Sequence, residues 1–355
     1  MSALVFPGII DAHVHLRDPG AIHKEDALSG TVAALAGGVV GVLDMPNNTP
    51  PITRAERFIA KQAIFAAKAV ADYGLFAGTD GTHLDDLVAM ASQAAGLKLY
   101  LDETFGNLTN REPRALAETF EAWPGPGPIA VHAESASIPL ALDLAERYGR
   151  HLHVCHVPHP DDLLVIDDAR QGGINVTCEV TPHHLFLSHD ALTKLGAMAQ
   201  MKPPLVSPRA RTLFWERLHL VDLIATDHAP HTRLEKVLSN PPPGVPGLET
   251  TLPLLLAAVE EGRLTYERFF DLVYTNPLRV YGLAAPASKV TVDLSRGRYR
   301  LPLDGYHTRC GWSPFAEQWG LGEVETVALR GQVIWRRDEL LVAPGYGRPL
   351  VRTTE

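Results

Sequence analysis

The 355-residue sequence has few cysteines, no long apolar run and no excess of positive charge. Its longest apolar stretches, such as Leu252 to Val259, are far shorter than the roughly 20 residues that cross a bilayer. The N-terminus lacks the basic segment and cleavage site of a signal peptide. Three cysteines are too few, and odd in number, for a disulfide framework. A net charge of −9 gives nucleic acid no electrostatic reason to bind. We therefore expect a cytoplasmic protein without nucleic-acid or membrane partners.

The composition is that of an ordinary folded domain. Hydrophobic residues make up 46% of the chain and charged residues 21%, so disorder is not indicated. The length exceeds that of most single domains, but α/β barrels run to about 250 residues or more as one domain. Histidine is plentiful, with 16 residues, and several of these stand at the ends of predicted strands.

Short apolar runs alternate with helical segments over the first three quarters of the chain. The runs that we predict to be strands are Ile9–Leu16, Val39–Met45, Leu75–Gly78, Leu97–Leu101, Ile129–His132, Leu152–Val157, Val176–Val180 and Leu223–Thr226. Strands that alternate with helices form βαβ units, and continuously apolar strands indicate a parallel sheet covered on both faces. About eight such units predict an α/β fold with a closed (β/α)8 TIM-type barrel. Ser29 is the predicted N-cap of the first helix.

The alternating pattern ends near Gly282, and the remaining residues predict a small accessory β layer. Its predicted strands are Lys289–Leu294, Thr326–Leu329 and Val333–Trp335. We predict a barrel domain over residues 8–285 and a small accessory region formed by residues 1–7 and 286–355. The Pro- and Gly-rich segment 240–247 cannot be regular structure, and loops that come after barrel strands often shape a substrate pocket.

Two histidines stand at the end of the first predicted strand. Side chains alternate along a strand, so His13 and His15 share one face and are able to hold one metal ion together. Asp11 has the same parity. The alternative for the pair alone is two hydrogen-bonded core histidines.

A lysine lies inside an apolar strand. Burial of Lys98 disfavours its charged form, and a neutral amine is nucleophilic enough to take up carbon dioxide as a carbamate. A carbamate bridges two metals as a carboxylate would. For Lys98 alone, a salt-bridged strand lysine is the simpler interpretation.

Three further candidate ligands come after later strands. His132 and His156 each end an apolar run, and Asp227 stands where it is able both to ligate a metal and to carry a proton. His151 and His153 have the other parity, and one or both are interpreted as packing or surface residues rather than ligands. Strand C-termini meet at one mouth of a barrel. Together the six side chains therefore predict a binuclear site, and their imidazole and oxygen donors favour zinc.

Four motifs resemble those of the dihydroorotases of the amidohydrolase superfamily. They are HxHLR at 13–17, MPN at 45–47, the strand lysine at 98 and DHAPH at 227–231. The resemblance is greatest to the dihydroorotase domain of the animal multifunctional pyrimidine-synthesis protein, in segments 99–105, 176–180, 182–190 and 241–250. It extends from Gly8 to about Gly347.

The resemblance implies a role for each matched residue. His13, His15 and Asp227 would hold one zinc, His132 and His156 a second, and carboxylated Lys98 would bridge them. Cys155 and Glu179 match a third zinc site of the animal domain, so a count of two zinc ions or three stays open. The positions that match the substrate-binding residues of the family are Arg17, Asn47, Thr104, Phe105, Lys202, His231, Pro243 and Gly244. Thr104 and Phe105 match the tip of a loop that is mobile in the family. Lys202 stands where many relatives have Asn and the animal domain has Arg.

The implied activity is the reversible cyclisation of N-carbamoyl-L-aspartate to L-dihydroorotate in pyrimidine biosynthesis. A zinc-bridged hydroxide would attack the ring amide, with Asp227 as general acid and base. One alternative is a hydantoinase or allantoinase, whose substrates lack the ring carboxylate that Arg17, Asn47 and His231 would bind. The other is an inactive scaffold subunit for aspartate transcarbamoylase. We also expect a homodimer, and an association with aspartate transcarbamoylase or carbamoyl-phosphate synthetase stays open.

Overall fold

The apolar runs of the sequence form the wall of a parallel barrel. A computed structural model describes residues 3–104 and 108–353. The strands of the wall are β2 (Ile9–Val14), β3 (Val39–Asp44), β4 (Asp72–Leu75), β5 (Ala77–Gly78), β6 (Leu97–Tyr100), β7 (Ile129–His132), β8 (Leu152–Val154), β9 (Val176–Val180) and β10 (Leu223–Ile224). Almost every residue in these strands is buried, as expected where helices cover a parallel sheet.

Parallel pairing closes the wall into a barrel. One sheet has the strand order β2-β3-β4 and the other β10-β9-β8-β7-β6-β5. The first and last strands approach each other where His15 N donates to His228 O at 2.8 Å. The predicted single strand at 75–78 is divided in two, because β4 pairs with β3 whereas β5 pairs with β6. The (β/α)8 barrel predicted from the sequence is confirmed.

Helices cover the outside of the barrel and fill its loops. They are α1 (Ala27–Ala36), α2 (Ala55–Lys68), α3 (Leu84–Ala91), α4 (Pro113–Ala122), α5 (Ile138–Tyr148), α6 (Asp162–Gln171), α7 (Pro182–Phe186), α8 (Asp190–Leu195), α9 (Pro208–Glu216), α10 (Arg233–Lys236), α11 (Thr251–Glu260), α12 (Tyr266–Phe270) and α13 (Asn276–Tyr281). Shorter 3-10 turns span Gly196–Ala199 and Leu218–Leu220, and a π-helical turn spans Asp271–Thr275. None of the described helices combines the length and the hydropathy that a membrane crossing requires.

Both ends of the chain build the accessory sheet. It is antiparallel, and its strands are, in spatial order, β1 (Ala3–Phe6), β11 (Ser288–Arg300), β12 (Trp319–Leu329), β13 (Gln332–Arg336) and β14 (Glu339–Leu340). Val290, Val292 and Val327 join the barrel core, so this sheet packs directly on the barrel. The division into a barrel domain and an accessory region at residues 7/8 and 285/286 stays a prediction.

A second, smaller apolar cluster lies beneath the segment that links β11 to β12. It contains Trp312 and Phe315 of that segment, Met201 and Leu205 of a barrel loop, and Leu254 of α11. The cluster therefore fixes the loops around segment 240–247 against the barrel.

Candidate active site

The predicted metal ligands lie at the C-terminal mouth of the barrel. Each is in, or just after, a strand: His13 and His15 at β2, Lys98 in β6, His132 at the end of β7, His156 after β8 and Asp227 after β10. All six side chains are buried. This mouth is where barrel enzymes carry their active sites.

The first group of ligand atoms surrounds Asp227. Its Oδ1 lies 3.1 Å from His15 Nε2 and 3.4 Å from His13 Nε2. The three ligand atoms lie within 4.8 Å of one another, which is close enough for one metal ion. Asp11 Oδ1 accepts the backbone N–H groups of His13 and Thr226, so it ties β2 to the segment that carries Asp227.

The second group is the pair His132 and His156. His132 Nδ1 and His156 Nε2 face each other at 3.0 Å. Two nitrogens bound to one tetrahedral zinc at about 2.0 Å would be about 3.3 Å apart. The rings of His13 and His156 are 5.2 Å apart between centroids, so the two groups adjoin.

Several polar atoms here lack partners. Within the described residues, Lys98 Nζ, His132 Nε2 and His156 Nδ1 are buried and make no hydrogen bond. Buried polar atoms are nearly always paired in folded proteins, so the unpaired Lys98 Nζ points to a missing group. The two unpaired imidazole nitrogens are opposite those that face each other as predicted metal ligands. Metal ions with a carbamate on Lys98 fit this donor set.

The charges of the cluster also favour a cation. Burial and Lys98 lower the pKa of His13, but Glu179 and Asp227 raise it more, to about 10. Burial lowers the pKa of His15 to about 4, and burial with Lys98 lowers that of His132 to about 3. Burial raises the pKa of Asp227, but His13 and His15 hold it well below its usual value. Negative charge is therefore concentrated beside His13, where a bound cation would be stabilised.

The residues predicted for a third metal form a separate group behind His13. Ligand atoms of His13, Cys155 and Glu179 lie within 4.8 Å of one another. His13 uses Nδ1 toward Glu179 Oε1 at 2.5 Å, whereas its Nε2 faces Asp227. Glu179 also accepts from His153 Nε2 at 3.1 Å, so it is already positioned as the carboxylate that orients His13.

The cluster of predicted metal ligands opens into a small cavity. The residues that line it are His13, His15, Arg17, Asn47, Tyr100, Thr104, His132, His156, Lys202, Asp227, Ala229, Pro243 and Gly244. Most substrate residues predicted from the sequence are thus brought together at one place. Phe105 lies outside the described residues.

His231 does not line the cavity but is buried behind two residues that do, Arg17 and Pro243. Arg17 Nη2 is 3.3 Å from His231 Nε2, and both side chains are buried. Arg17 Nε also donates to Pro230 O. Asn47 Oδ1 accepts from His15 Nδ1 at 2.6 Å, which links this wall to the ligand cluster.

Lys202 lies at the rim, unlike these buried residues. Its side chain is 42% exposed, and Nζ is 3.6 Å from Glu134 Oε1. An exposed pair of this kind contributes little free energy. Lys202 is therefore free to turn toward a ligand at small cost.

Sequence reasoning missed three residues that shape the site. Tyr100 lines the cavity, and its spacing of two from Lys98 on β6 could have revealed it. Lys24 and Lys236 are buried, but both come from irregular or very short elements, where no periodicity marks a side chain as inward. Lys236 Nζ donates to the carbonyls of Gln200, Pro242 and Gly244, so it anchors the loop that carries Pro243.

Comparisons with known proteins show the family of this chain. Residues 4–163 match the model of the amidohydrolase family. Over 96% of its length the chain is 44% identical to multifunctional protein CAD of Squalus acanthias, of which it spans 15%. It is 35% identical to the dihydroorotase of Halobacterium salinarum, with 96% of this chain and 88% of that protein covered. Among solved structures, L-hydantoinase from Arthrobacter aurescens superposes with a TM-score of 0.92 at 25% identity, covering 98% of this chain and 89% of that one.

Proposed function

Because this chain belongs to the dihydroorotases of the amidohydrolase family, we propose that it interconverts L-dihydroorotate and N-carbamoyl-L-aspartate. One observation carries the choice of substrate: buried Arg17 and His231 stand 3.3 Å apart beside the Asp227 cluster. A guanidinium is the natural partner of a carboxylate. The ring of dihydroorotate carries a carboxylate, whereas hydantoin and allantoin do not.

We propose zinc as the resident metal, because imidazole and carboxylate donors dominate the cluster. His13, His15 and Asp227 would hold one ion, and His132 and His156 the other. Lys98 Nζ would add to carbon dioxide and release a proton, and the resulting carbamate would supply oxygen ligands. Zinc at these residues would supply Lewis acidity, which lowers the pKa of water and polarises an amide carbonyl.

Asp227 is the proposed general acid and base. It accepts a proton from the water that adds to the ring carbonyl, and it returns a proton to the ring nitrogen as the C–N bond breaks. Arg17, Asn47 and His231 hold the substrate carboxylate during both steps. Ring closure runs the same steps backward and consumes a proton, so it is favoured at lower pH.

Three loops would complete the substrate site. Thr104 lines the cavity, and Lys202 is proposed to add a positive charge at the rim. Pro243 and Gly244 supply backbone to the opposite wall. Because Lys202 lacks the planar fork of arginine, its effect is expected on affinity rather than on the type of reaction.

Two alternatives remain distinguishable. A hydantoinase-type activity is favoured by the high structural similarity to L-hydantoinase. Its substrates, however, lack the ring carboxylate that Arg17 and His231 are proposed to bind. A scaffold without activity would be expected to have lost metal ligands, whereas all six proposed ligands are present and gathered at one mouth.

The deciding experiment is an ultraviolet assay of the purified, zinc-loaded chain. L-dihydroorotate is supplied at mildly alkaline pH and N-carbamoyl-L-aspartate at mildly acidic pH. We expect turnover in both directions and its loss on chelation. A zinc-loaded chain that turned over hydantoin or allantoin instead would overturn the choice of substrate, and one inactive on every substrate would support the scaffold alternative.

Zinc content and intact mass distinguish a carboxylated Lys98 from an unmodified lysine. We expect Lys98→Ala to bind less zinc per chain than the unchanged protein, because the proposed bridge is lost. Intact-mass measurement should show the carbamate adduct when bicarbonate is present and its loss at acidic pH. Equal zinc content in the two proteins would contradict the bridging role.

Metal analysis also resolves the third site. If a third zinc is bound at Cys155 and Glu179, Cys155→Ser should lower the zinc content from three ions per chain to two. An unchanged count of two would assign Glu179 to the orientation of His13 alone.

We propose a homodimer as the assembly. Leu234, Val237 and Leu238, on and after α10, are exposed apolar residues that an interface would cover. Sedimentation velocity at several concentrations tests this. Association with aspartate transcarbamoylase or carbamoyl-phosphate synthetase, and a cytoplasmic location, stay predictions.

A further inference from the structure

Lys24 is a buried lysine that none of the proposed catalytic steps uses. It lies in the loop between β2 and α1, and only 5% of it is exposed. Its Nζ is 3.0 Å from Glu235 Oε1 and 3.0 Å from His231 Nδ1. A buried ammonium is costly unless it is paired, so these two contacts stabilise the charge of Lys24.

The donors and acceptors around His231 fix where its ring carries a proton. A lysine ammonium has three N–H donors and no acceptor, so His231 Nδ1 must accept from Lys24. The opposite nitrogen, Nε2, lies 3.0 Å from the carbonyl oxygen of Pro243, which only accepts. Arg17 Nη2, which is a donor, lies farther from Nε2, at 3.3 Å. With Lys24 donating to Nδ1, the neutral imidazole is therefore protonated on Nε2 and donates to Pro243 O.

The positive charges around His231 keep the ring neutral. Burial, Arg17, Lys24 and Lys236 all lower its pKa, and they outweigh the hydrogen bond to Pro243 O. Glu235 in turn stabilises the charge of Lys24. Burial raises the pKa of Glu235, but the hydrogen bonds from Lys24 and Thr232 lower it to about 2. Glu235 belongs to the capping box of α10, so the arrangement is fixed to a helix.

We propose that Lys24 is a positioning residue that holds His231 as its Nε2–H tautomer, so that the N–H that His231 shares with Pro243 O, and not a lone pair, faces the substrate carboxylate beside Arg17. This proposal rests on the proposed function. His231 Nε2 and Arg17 Nη2 are 3.3 Å apart, close enough for the oxygens of one carboxylate to reach both. The other tautomer would turn a lone pair toward the substrate and an N–H toward the lysine.

Kinetics of Lys24→Met test the role in binding. The carboxylate contact is made in the ground state and in the transition state alike, so its loss should raise KM with little change in kcat. We expect KM for L-dihydroorotate to rise about tenfold, the size typical of one weakened charge-assisted hydrogen bond. Lys24→Arg should restore most of the affinity, because it keeps a charged donor.

Two further variants make the test specific. Lys289→Met removes the same charge from an exposed position of β11 and should leave KM unchanged. In the double variant Lys24→Met with His231→Gln, removing Lys24 should add little to the loss from His231 alone. Additive losses would show that Lys24 does not act through His231 and would overturn the proposal.

Nitrogen NMR of the zinc-loaded chain tests the tautomer without any assay of activity. With His231 assigned by comparison with His231→Gln, we expect a pyridine-like Nδ1 and a pyrrole-like Nε2. In Lys24→Met the two shifts should move toward each other. A protonated Nδ1 in the unchanged protein, or shifts that do not respond to Lys24→Met, would overturn the proposal. Absence of dihydroorotase turnover would instead contradict the proposed function and leave this spectrum interpretable.

Discussion

Three residues assigned to the site have left-handed backbone conformations. The φ angles are 60° at Arg17, 32° at His156 and 48° at Asp227. For residues other than glycine such angles cost about 1–3 kcal/mol and persist only where the surrounding structure imposes them. All three come within a few residues of the end of a barrel strand, so the turn out of the strand aims the side chain into the mouth.

Replacing Asp227 with Asn tests the proton-transfer role, because the substitution changes only one carboxylate oxygen into an amide nitrogen. The amide keeps the size of the side chain but is a far weaker base. We expect kcat to fall by about 10²–10⁴-fold, the usual contribution of a general acid–base group. Binding of L-dihydroorotate, measured by equilibrium dialysis, should change little.

Zinc analysis is the control for that variant, because Asp227 is also a proposed ligand. Retained zinc with lost turnover supports the proton-transfer role. Comparable turnover in Asp227→Asn would contradict that role, whatever the metal content.

The gathering of the six proposed ligands at one mouth could be predicted at the residue scale, but the supporting residues could not. Period-two alternation puts His13 and His15 on one face of β2, and strand ends converge in any barrel. Lys24 and Lys236 instead reach the site from loops, where burial depends on tertiary packing. The tautomer of His231 depends on its two neighbours in space, neither of which adjoins it in the sequence.

At the scale of elements, local sequence patterns predicted the strands better than the helix ends. Each predicted barrel strand is present within a few residues of its predicted bounds. The prediction of Ser29 as an N-cap was wrong, because α1 begins at Ala27 and Asp26 is its N-cap. Ser29 is the N3 residue of the same capping box, and its hydroxyl accepts the backbone N–H of Asp26.

The loop over residues 240–247 depends on one glycine. Gly244 has φ +134°, and a Cβ there would lie 2.6 Å from Ala229 O and 3.1 Å from His231 Cδ2. We expect Gly244→Ala to push this loop away from His231 and to lower kcat/KM by about 10–100-fold, since small displacements of positioning groups have effects of this size. Steady-state kinetics with L-dihydroorotate measure the loss.

Gly149→Ala is the matched control for backbone strain. Gly149 also has a positive φ, +59°, but a Cβ there would meet no described atom within 4 Å. It should cost about 1–2 kcal/mol of stability through its left-handed backbone and leave the kinetics unchanged. Equal kinetic losses in the two variants would mean that strain, not contact with His231, explains the effect of Gly244→Ala.

At the scale of the whole molecule, two glutamates join the barrel to the segment between β11 and β12. Glu249, just before α11, accepts the backbone N–H groups of His307 and Thr308, both at 2.9 Å. Glu25, just before α1, accepts from Arg309 N and from the hydroxyl of Thr308. The same segment carries Trp312, whose Nε1 donates to His231 O at 2.8 Å. The accessory region therefore supports the substrate wall from outside the barrel.

Glu249 should make this support sensitive to pH. Burial, with a smaller effect from nearby Glu25 and Asp338, raises the pKa of Glu249 from 4.5 to about 7. The two backbone N–H groups that donate to it lower the pKa by less than this. The folded chain therefore holds this proton more tightly than the unfolded chain does. The resulting stabilisation is complete below about pH 4.5 and is lost as the pH rises through about 7, with a slope of at most about 1.4 kcal/mol per pH unit.

Urea unfolding between pH 5 and pH 8 measures this contribution, with Glu249→Gln as the comparison. The glutamine is neutral at every pH, so the difference in unfolding free energy between the two proteins isolates Glu249 from every other titrating group of the chain. We expect the unchanged protein to lose stability relative to Glu249→Gln as the pH rises, and to level off above about pH 7. A difference that stays constant with pH would contradict the raised pKa, because a carboxyl group ionised throughout this range adds no slope.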